Sequence, residues 1–319
     1  MPHLNLLIIK GGERCKTPAG LDKVISWLDR SQAARRSEPL VIIGGGAILD
    51  VGSLGASLYR RGIPFWRIPS TLLAMTDAGL GLKTAINYNG RKNLVGTFTL
   101  PERVIVDTNF LSTLPRRHII SGIAEIIKLG LGVNSTLFTR IEDHHAEYVR
   151  SRFQTETSIR FIQDAMAAML SQLKLDPHET ASPHVTDLGH SLSRVFEQVL
   201  RPRPLHGEAV ALDMALMTSY SRAVGLSTKD DWLRIVRLLR AVGLPISHSG
   251  LNQELINLAF EDILRHRDGN RKFPQPVQPG RVAMVDVDLV TMASLGDLHA
   301  IYIENLPETG FNYGDRRLR

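Results

Sequence analysis

A single cysteine, Cys15, stands in 319 residues, so no internal disulfide framework can form, and a reducing compartment is the natural home. No apolar run approaches the length needed to cross a bilayer, which excludes a helical membrane anchor. The opening, MPHLNLLIIKGGE, lacks a basic leader and a small-residue cleavage site and does not read as a secretion signal. A cytoplasmic protein is expected. Aromatic residues are also scarce, at 6%. The net charge of +6 is carried by scattered pairs such as Arg35-Arg36, Arg60-Arg61 and Arg116-Arg117, with no aromatic-interleaved basic stripe. That pattern argues against nucleic acid and suits a surface that meets anionic small molecules.

What is present has two textures. Leu4–Ile9 and Pro39–Ile43 read as buried strands, Asp50–Tyr59 as a helix and Phe65–Ile68 as another strand. Such alternation predicts an α/β layer with a parallel sheet over residues 1–114. From 115 to 319 helical periodicity dominates, at Gly122–Val133, Phe153–Leu173, Leu188–Val199, Gly207–Val224, Asp231–Val242 and Asn252–Arg265. Gln275–Gly280, rich in proline, is expected to be a loop, and Val282–Val287 a late strand. The fold class expected is α/β: a Rossmann-like dinucleotide-binding domain, shortened at its start, followed by a mainly helical domain.

Four places could carry chemistry. Gly44-Gly45-Gly46, between a strand and a helix, would let backbone amides approach a diphosphate, though a tight turn explains it equally well and neither phosphate-loop pattern is complete. Ser70–Asn93 gathers Asp77, Lys83, Asn87, Lys92 and Asn93 among glycines, either as a site or as a solvated hairpin. Glu125 lies in an apolar helix with Lys128 three residues on, which fits a surface ion pair or a buried carboxylate that needs a cation. His190 and His206 each stand where a helix begins. Two histidines and a carboxylate form a usual zinc set, although single histidines are more often structural and the spacing is not compact.

GGERCKT, GGGAILDVG, STLLAMTDAGLGLKTAIN, RKNLVGTF, FLSTLPRR, GIAEIIK, LGHS and LHGEAVALDM follow one another from about Gly11 to Gly280. In this order they resemble the sugar phosphate cyclases of the dehydroquinate-synthase-like superfamily. The resemblance implies Glu125, His190 and His206 as ligands of a divalent metal, zinc or cobalt. It implies NAD contacts from Glu13, Lys16, the turn Gly44, Gly45, Gly46, Ala47, Ile48, Leu49 and Asp50, then Ser70, Thr71, Lys83, Lys92 and Phe110, Leu111, Ser112 and Thr113. Arg61, Asp77, Asn93, Lys128, Asp187 and Arg267 match substrate contacts, and Lys83, Asp77 and Lys128 are the expected catalytic groups. The family chemistry oxidises a hydroxyl transiently with NAD, eliminates phosphate, reduces the ketone again and closes a carbocycle by an aldol step.

Within the family, GHSLSRVFE departs from the GHTxGHA of dehydroquinate synthases by placing Arg194 where a second histidine would be. Ser193, Asp187, the LDM of HGEAVALDM and HRDG at His266–Gly269 resemble the 2-epi-5-epi-valiolone synthase branch, which acts on sedoheptulose 7-phosphate. Arg194 matches neither branch. Members usually begin with a further strand–helix unit, so weak NAD binding is expected here unless a partner subunit, as in a homodimer, fills the gap. The alternatives are a dehydroquinate synthase, a metal-dependent polyol dehydrogenase and a shortened non-catalytic paralogue that serves assembly.

Overall fold

The structure is a computed structural model that describes residues 5–180 and 184–306. After a 3-10 turn at Glu13–Cys15, Thr17 caps helix α1 (Pro18–Arg30) by accepting a hydrogen bond from the Gly20 amide at 3.1 Å, with Pro18 in the first turn. Strand β1 (Leu40–Gly44), helix α2 (Gly46–Leu58) and strand β2 (Phe65–Pro69) form a strand–helix–strand crossover. β1 and β2 pair in parallel, Leu40 opposite Phe65 and Gly44 opposite Pro69. Strand β3 (Lys83–Tyr88) and strand β4 (Arg91–Phe98) make an antiparallel hairpin, and strand β5 (Arg103–Val104) adds to β2, giving the sheet order β1-β2-β5. Val24, Leu28, Ile42, Leu49, Leu54, Phe65 and Ile86 form the core of this layer.

Residues 5–10 depart from expectation. They join no ladder, and Leu4 lies outside the described residues. Leu7 and Ile9 pack on the core while Leu6 and Ile8 are 69% and 84% exposed. The apolar run thus reports one buried face, but burial of side chains does not by itself supply a backbone partner.

The second domain is built on helix α3 (Arg116–Gly132), in which every residue from Ile119 to Leu131 is buried. Helix α4 (Ser135–Ser151), helix α5 (Glu156–Leu175), the short helix α6 (Ser193–Val199) and helix α7 (His206–Ala223) follow. Then come helix α8 (Lys229–Val242) and helix α9 (Gln253–His266), capped by Thr228 and Asn252. Strand β6 (Lys272–Gln278) pairs antiparallel with strand β7 (Arg281–Asp286), before helices α10 (Leu289–Met292) and α11 (Leu295–Glu304).

Two further expectations are corrected. Gln275–Gly280 is mostly strand, not loop. β6 is paired on one side only, so Pro274 and Pro276, two residues apart, direct their missing donors along the free edge, where proline is tolerated. The helix expected from Leu188 starts only at Ser193, because Gly189 sits at φ +74 and turns the chain first. Among the described residues no helix is long and apolar enough to cross a membrane.

Candidate active site

The site forms where α7 begins. A Cβ on Gly207 would lie 1.8 Å from the Ser121 carbonyl oxygen, so only glycine lets α7 press against α3 here. The Gly207 amide donates to Ser121 Oγ at 3.1 Å. One turn along α3 from Ser121 stands Glu125, fully buried, and the first residue of α7 is His206. Its Nε2 lies 3.0 Å from Glu125 Oε1.

His190 arrives from the turn before α6. Asp213, seven residues after His206 and therefore on the same face of α7, accepts hydrogen bonds from the Leu192 amide at 2.6 Å and the Ser193 amide at 3.0 Å, anchoring that turn. His190 Nδ1 faces the Leu188 carbonyl at 3.1 Å, which assigns its proton to Nδ1 and leaves Nε2 free. That Nε2 lies 3.8 Å from Glu125 Oε1 and 3.4 Å from His206 Nε2. One ligand atom from each of the three residues falls within 4.8 Å of the others.

Lys128 Nζ lies 2.6 Å from Glu125 Oε2 and 3.3 Å from Asp77 Oδ2. The carboxylate is thus fully buried and held by positive charge on both oxygens, Lys128 at Oε2 and His206 at Oε1, which suits a ligand of a cation. Burial works to raise the Glu125 carboxyl, and Lys128 with the two histidines overcomes it, holding the group well below the usual range. Burial likewise works against the Lys128 ammonium, but Asp77 and Glu125 raise it, so it stays charged. Burial, with Lys128 second, lowers His190, whereas Glu197 and Glu125 outweigh burial at His206 and push it up to about 10.

Across from this cluster lies the start of α2. The chain passes through Gly44, Gly45 and Gly46, then Ala47, Ile48, Leu49 and Asp50 in the first turn of the helix. A Cβ on Gly44 would meet Ile48 at 2.6 Å and one on Gly45 would meet the Thr71 methyl at 3.0 Å, so the turn is closed on the protein side and presents bare backbone outward. The first amides of α2 have no partner within the helix, which makes the turn suited to a diphosphate. Ser70 joins the same turn through its amide, which donates to the Gly44 carbonyl at 2.9 Å.

The β3–β4 hairpin bridges the two halves. Lys16 Nζ donates to Asp50 Oδ2 and to Asn93 Oδ1, both at 2.5 Å. Burial raises the Asp50 carboxyl, and Lys16 offsets part of that. Asn87 Nδ2 donates to Glu13 Oε1 at 2.7 Å and Asn87 Oδ1 accepts from the Asn93 amide at 2.9 Å. Lys92 lies 3.7 Å from Glu13 and 2.5 Å from Glu197 Oε2, while Glu197 Oε1 lies 2.9 Å from His206 Nδ1. Burial works to raise Glu197, but His206 and then Lys92 lower it to about 2.

Other expected residues stand apart. Lys83 is 60% exposed and pairs with Glu179 rather than with the Glu125 group. Asp187 and Arg267 bind each other at 3.1 Å. Within the 3-10 turn Thr108–Thr113, Leu111 is in the core, Phe110 packs against it, and Ser112 Oγ bonds the Asn109 carbonyl. Thr113 is exposed at the end of this turn. Arg61 is exposed, past the C-terminal end of α2, ~16 Å of helix rise from Asp50 at the opposite end from the glycine turn, so within one chain it stands outside the cluster. Arg194 pairs with Asp262 at 3.6 Å.

Three residues escaped sequence reasoning. Glu197 and Asp213 are described above. Arg67 is fully buried in β2 and donates to Ser53 Oγ at 2.9 Å, to the carbonyls of Gly81 and Gly79 at 2.5 and 3.4 Å, and to that of Lys83 at 3.1 Å. It pins the glycine-rich segment, and burial lowers it only to about 10, so it remains a cation. Its signal was an arginine inside an otherwise apolar strand, FWRIP.

Comparison with known proteins adds the family context. Residues 6–121 match the family described as 3-dehydroquinate synthase N-terminal, and residues 122–268 the 3-dehydroquinate synthase C-terminal family. A 2-epi-5-epi-valiolone synthase from Actinoplanes sp. is 38% identical over 288 residues, 88% of this chain and 72% of that protein. The solved structure of ValA, the 2-epi-5-epi-valiolone synthase of Streptomyces hygroscopicus subsp. jinggangensis 5008 with NAD+ and Zn2+ bound, superposes with a TM-score of 0.89 at 34% identity, covering 93% of this chain and 82% of that one. A 2-deoxy-scyllo-inosose synthase complexed with carbaglucose-6-phosphate, NAD+ and Co2+ matches with a TM-score of 0.76 at 25% identity, over 93% of this chain and 82% of that one.

Proposed function

Because the chain belongs to the dehydroquinate-synthase-like family of sugar phosphate cyclases, we propose that it converts the C7 ketose phosphate sedoheptulose 7-phosphate to a valiolone-type cyclitol with release of phosphate. The observation that supports this reading is the convergence of the fully buried Glu125 with His190 and His206 beside two site lysines. These three residues would hold zinc or cobalt, and the glycine turn with Glu13, Lys16 and Asp50 would hold NAD. When bound, the two supply Lewis acidity and a hydride acceptor that returns its hydride within the same turnover.

The chain's own groups do the rest. Lys128, kept charged between Asp77 and Glu125, is a fixed donor for a substrate hydroxyl. Lys83, exposed at the end of the pinned glycine segment, has the reach to meet a phosphate and steady its charge as it leaves. Lys92 and Asn93 hold the substrate between the two halves of the site, and Asp187 with Arg267 closes its far side. Hydride out and hydride back leave no net redox change, so phosphate is the only group lost.

The test incubates the protein with sedoheptulose 7-phosphate, NAD and Zn2+ or Co2+, with a parallel reaction on the dehydroquinate synthase substrate. Phosphate release and a cyclitol from the C7 ketose phosphate alone, with no accumulation of NADH, is the expected result. Release from the other substrate alone would transfer the assignment to dehydroquinate synthesis. Silence with both would leave a binding or assembly role.

A further inference from the structure

We propose that Glu197 is a positioning residue that joins the two halves of this site: one of its oxygens sets the tautomer of His206 for the metal, and the other holds Lys92. The inference rests on the metal reading above. Glu197 is 7% exposed on α6, and its place is fixed further by Arg203, whose Nε donates to the Glu197 carbonyl at 2.8 Å. Oε1 lies 2.9 Å from His206 Nδ1, which keeps a proton on Nδ1 and aims Nε2 at Glu125 Oε1 and His190 Nε2, the nitrogen that would bind the metal once it gives up its own proton. Oε2 accepts from Lys92 Nζ at 2.5 Å.

The two histidines are therefore oriented by different means. His190 faces a neutral backbone carbonyl, that of Leu188, whereas His206 faces a carboxylate. A carboxylate partner makes an imidazole the stronger donor to a metal and also locks its ring. Lys92 belongs to β4 in the α/β layer, and His206 to the helical domain. Glu197 thus ties a residue of the nucleotide side to a residue of the metal side through two contacts, one on each oxygen. A carboxylate can serve both because it has two acceptor oxygens; an amide has one.

That asymmetry gives the test. In Glu197→Gln the single amide oxygen must choose, and the NH2 group then faces either the Nδ1 proton or the Lys92 ammonium. With NAD and substrate both left out, Zn2+ affinity is measured by chelator competition and the Co2+ site by its visible absorption. Glu197→Gln is expected to weaken Zn2+ on the order of tenfold or more and to shift the Co2+ spectrum. Lys92→Met alone should leave Zn2+ affinity within about threefold, and Glu197→Gln/Lys92→Met should regain most of the loss, because the amide oxygen is then free for His206. A role confined to packing would show instead as lowered thermal stability with no recovery in the double variant. Unchanged Zn2+ affinity and Co2+ spectrum in Glu197→Gln, or a loss that ignores Lys92, would overturn the proposal. Failure of the parent protein to bind either ion would strike at the metal reading itself, a separate outcome.

Discussion

Replacing Asp213 by Asn tests the architecture of the site from behind. Asp213 is fully buried, its Oδ2 anchors the turn that carries His190, and its Oδ1 has no partner. Burial raises its carboxyl to about 6, against the ordinary 3.8, with the Leu192 and Ser193 amides offsetting only part. A folded pKa above the unfolded one means that the native chain keeps a proton the unfolded chain releases. The stability contributed by that proton is complete below pH ~4 and is lost as pH rises through about 6. The gap of about two pH units corresponds to ~3 kcal/mol, of which ~2 kcal/mol falls between pH 4.5 and 7. Asn offers the same acceptor oxygen and carries no charge at any pH. Its NH2, placed where Oδ1 now lacks a partner, adds a pH-independent penalty of ~1–3 kcal/mol. The sign of the offset at any one pH is therefore uninformative, while the slope is diagnostic. Urea unfolding of both proteins from pH 4.5 to 7.5 should show Asp213→Asn gaining ~2 kcal/mol on the parent chain as pH rises, other titrating groups cancelling in the difference. A difference that stays flat across this range would refute the reasoning.

His206→Ala should lose bound metal and turnover together, measured by elemental analysis and phosphate release on the same sample. Lys83→Ala should abolish phosphate release while unfolding within ~1 kcal/mol of the parent, since its ion pair with Glu179 is largely solvated. Arg67→Met, which orphans three carbonyls and a hydroxyl in or near the core, should cost ~3–5 kcal/mol in urea unfolding and lower turnover by releasing the glycine segment.

The fold class was legible because its signals are local. Short apolar runs ending in glycine mark β1, and long periodic stretches mark α3, α7 and α8. The family was legible because eight motifs keep one order. What escaped depends on partners distant in sequence. Nothing near Glu197 announces that it will meet Lys92, 105 residues earlier. Arg67 looks like an error in an apolar strand until the carbonyls of Gly79, Gly81 and Lys83 are seen around it. The apolar run at residues 5–9 suits a buried strand but joins no ladder. In β6 the prolines announce a loop, and only the unpaired edge makes them acceptable. α4 was passed over because charged and polar residues crowd its sequence, STLFTRIEDHHAEYVRS, while Leu137, Phe138, Ile141, Tyr148 and Val149 alone face the core.

The contact between Gly207 and Ser121 sets a limit on how this molecule can work. Side-chain packing can breathe by changing rotamers, but a backbone carbonyl against a bare Cα has none to change. The spacing of Glu125 and His206 is thus a fixed gauge, written into two helices at their closest approach. The gauge lies wholly within the helical domain and does not depend on the residues that the α/β layer supplies, Lys16, Lys92 and Asn93. The carboxylate–imidazole pair therefore keeps its calibration from one turnover to the next.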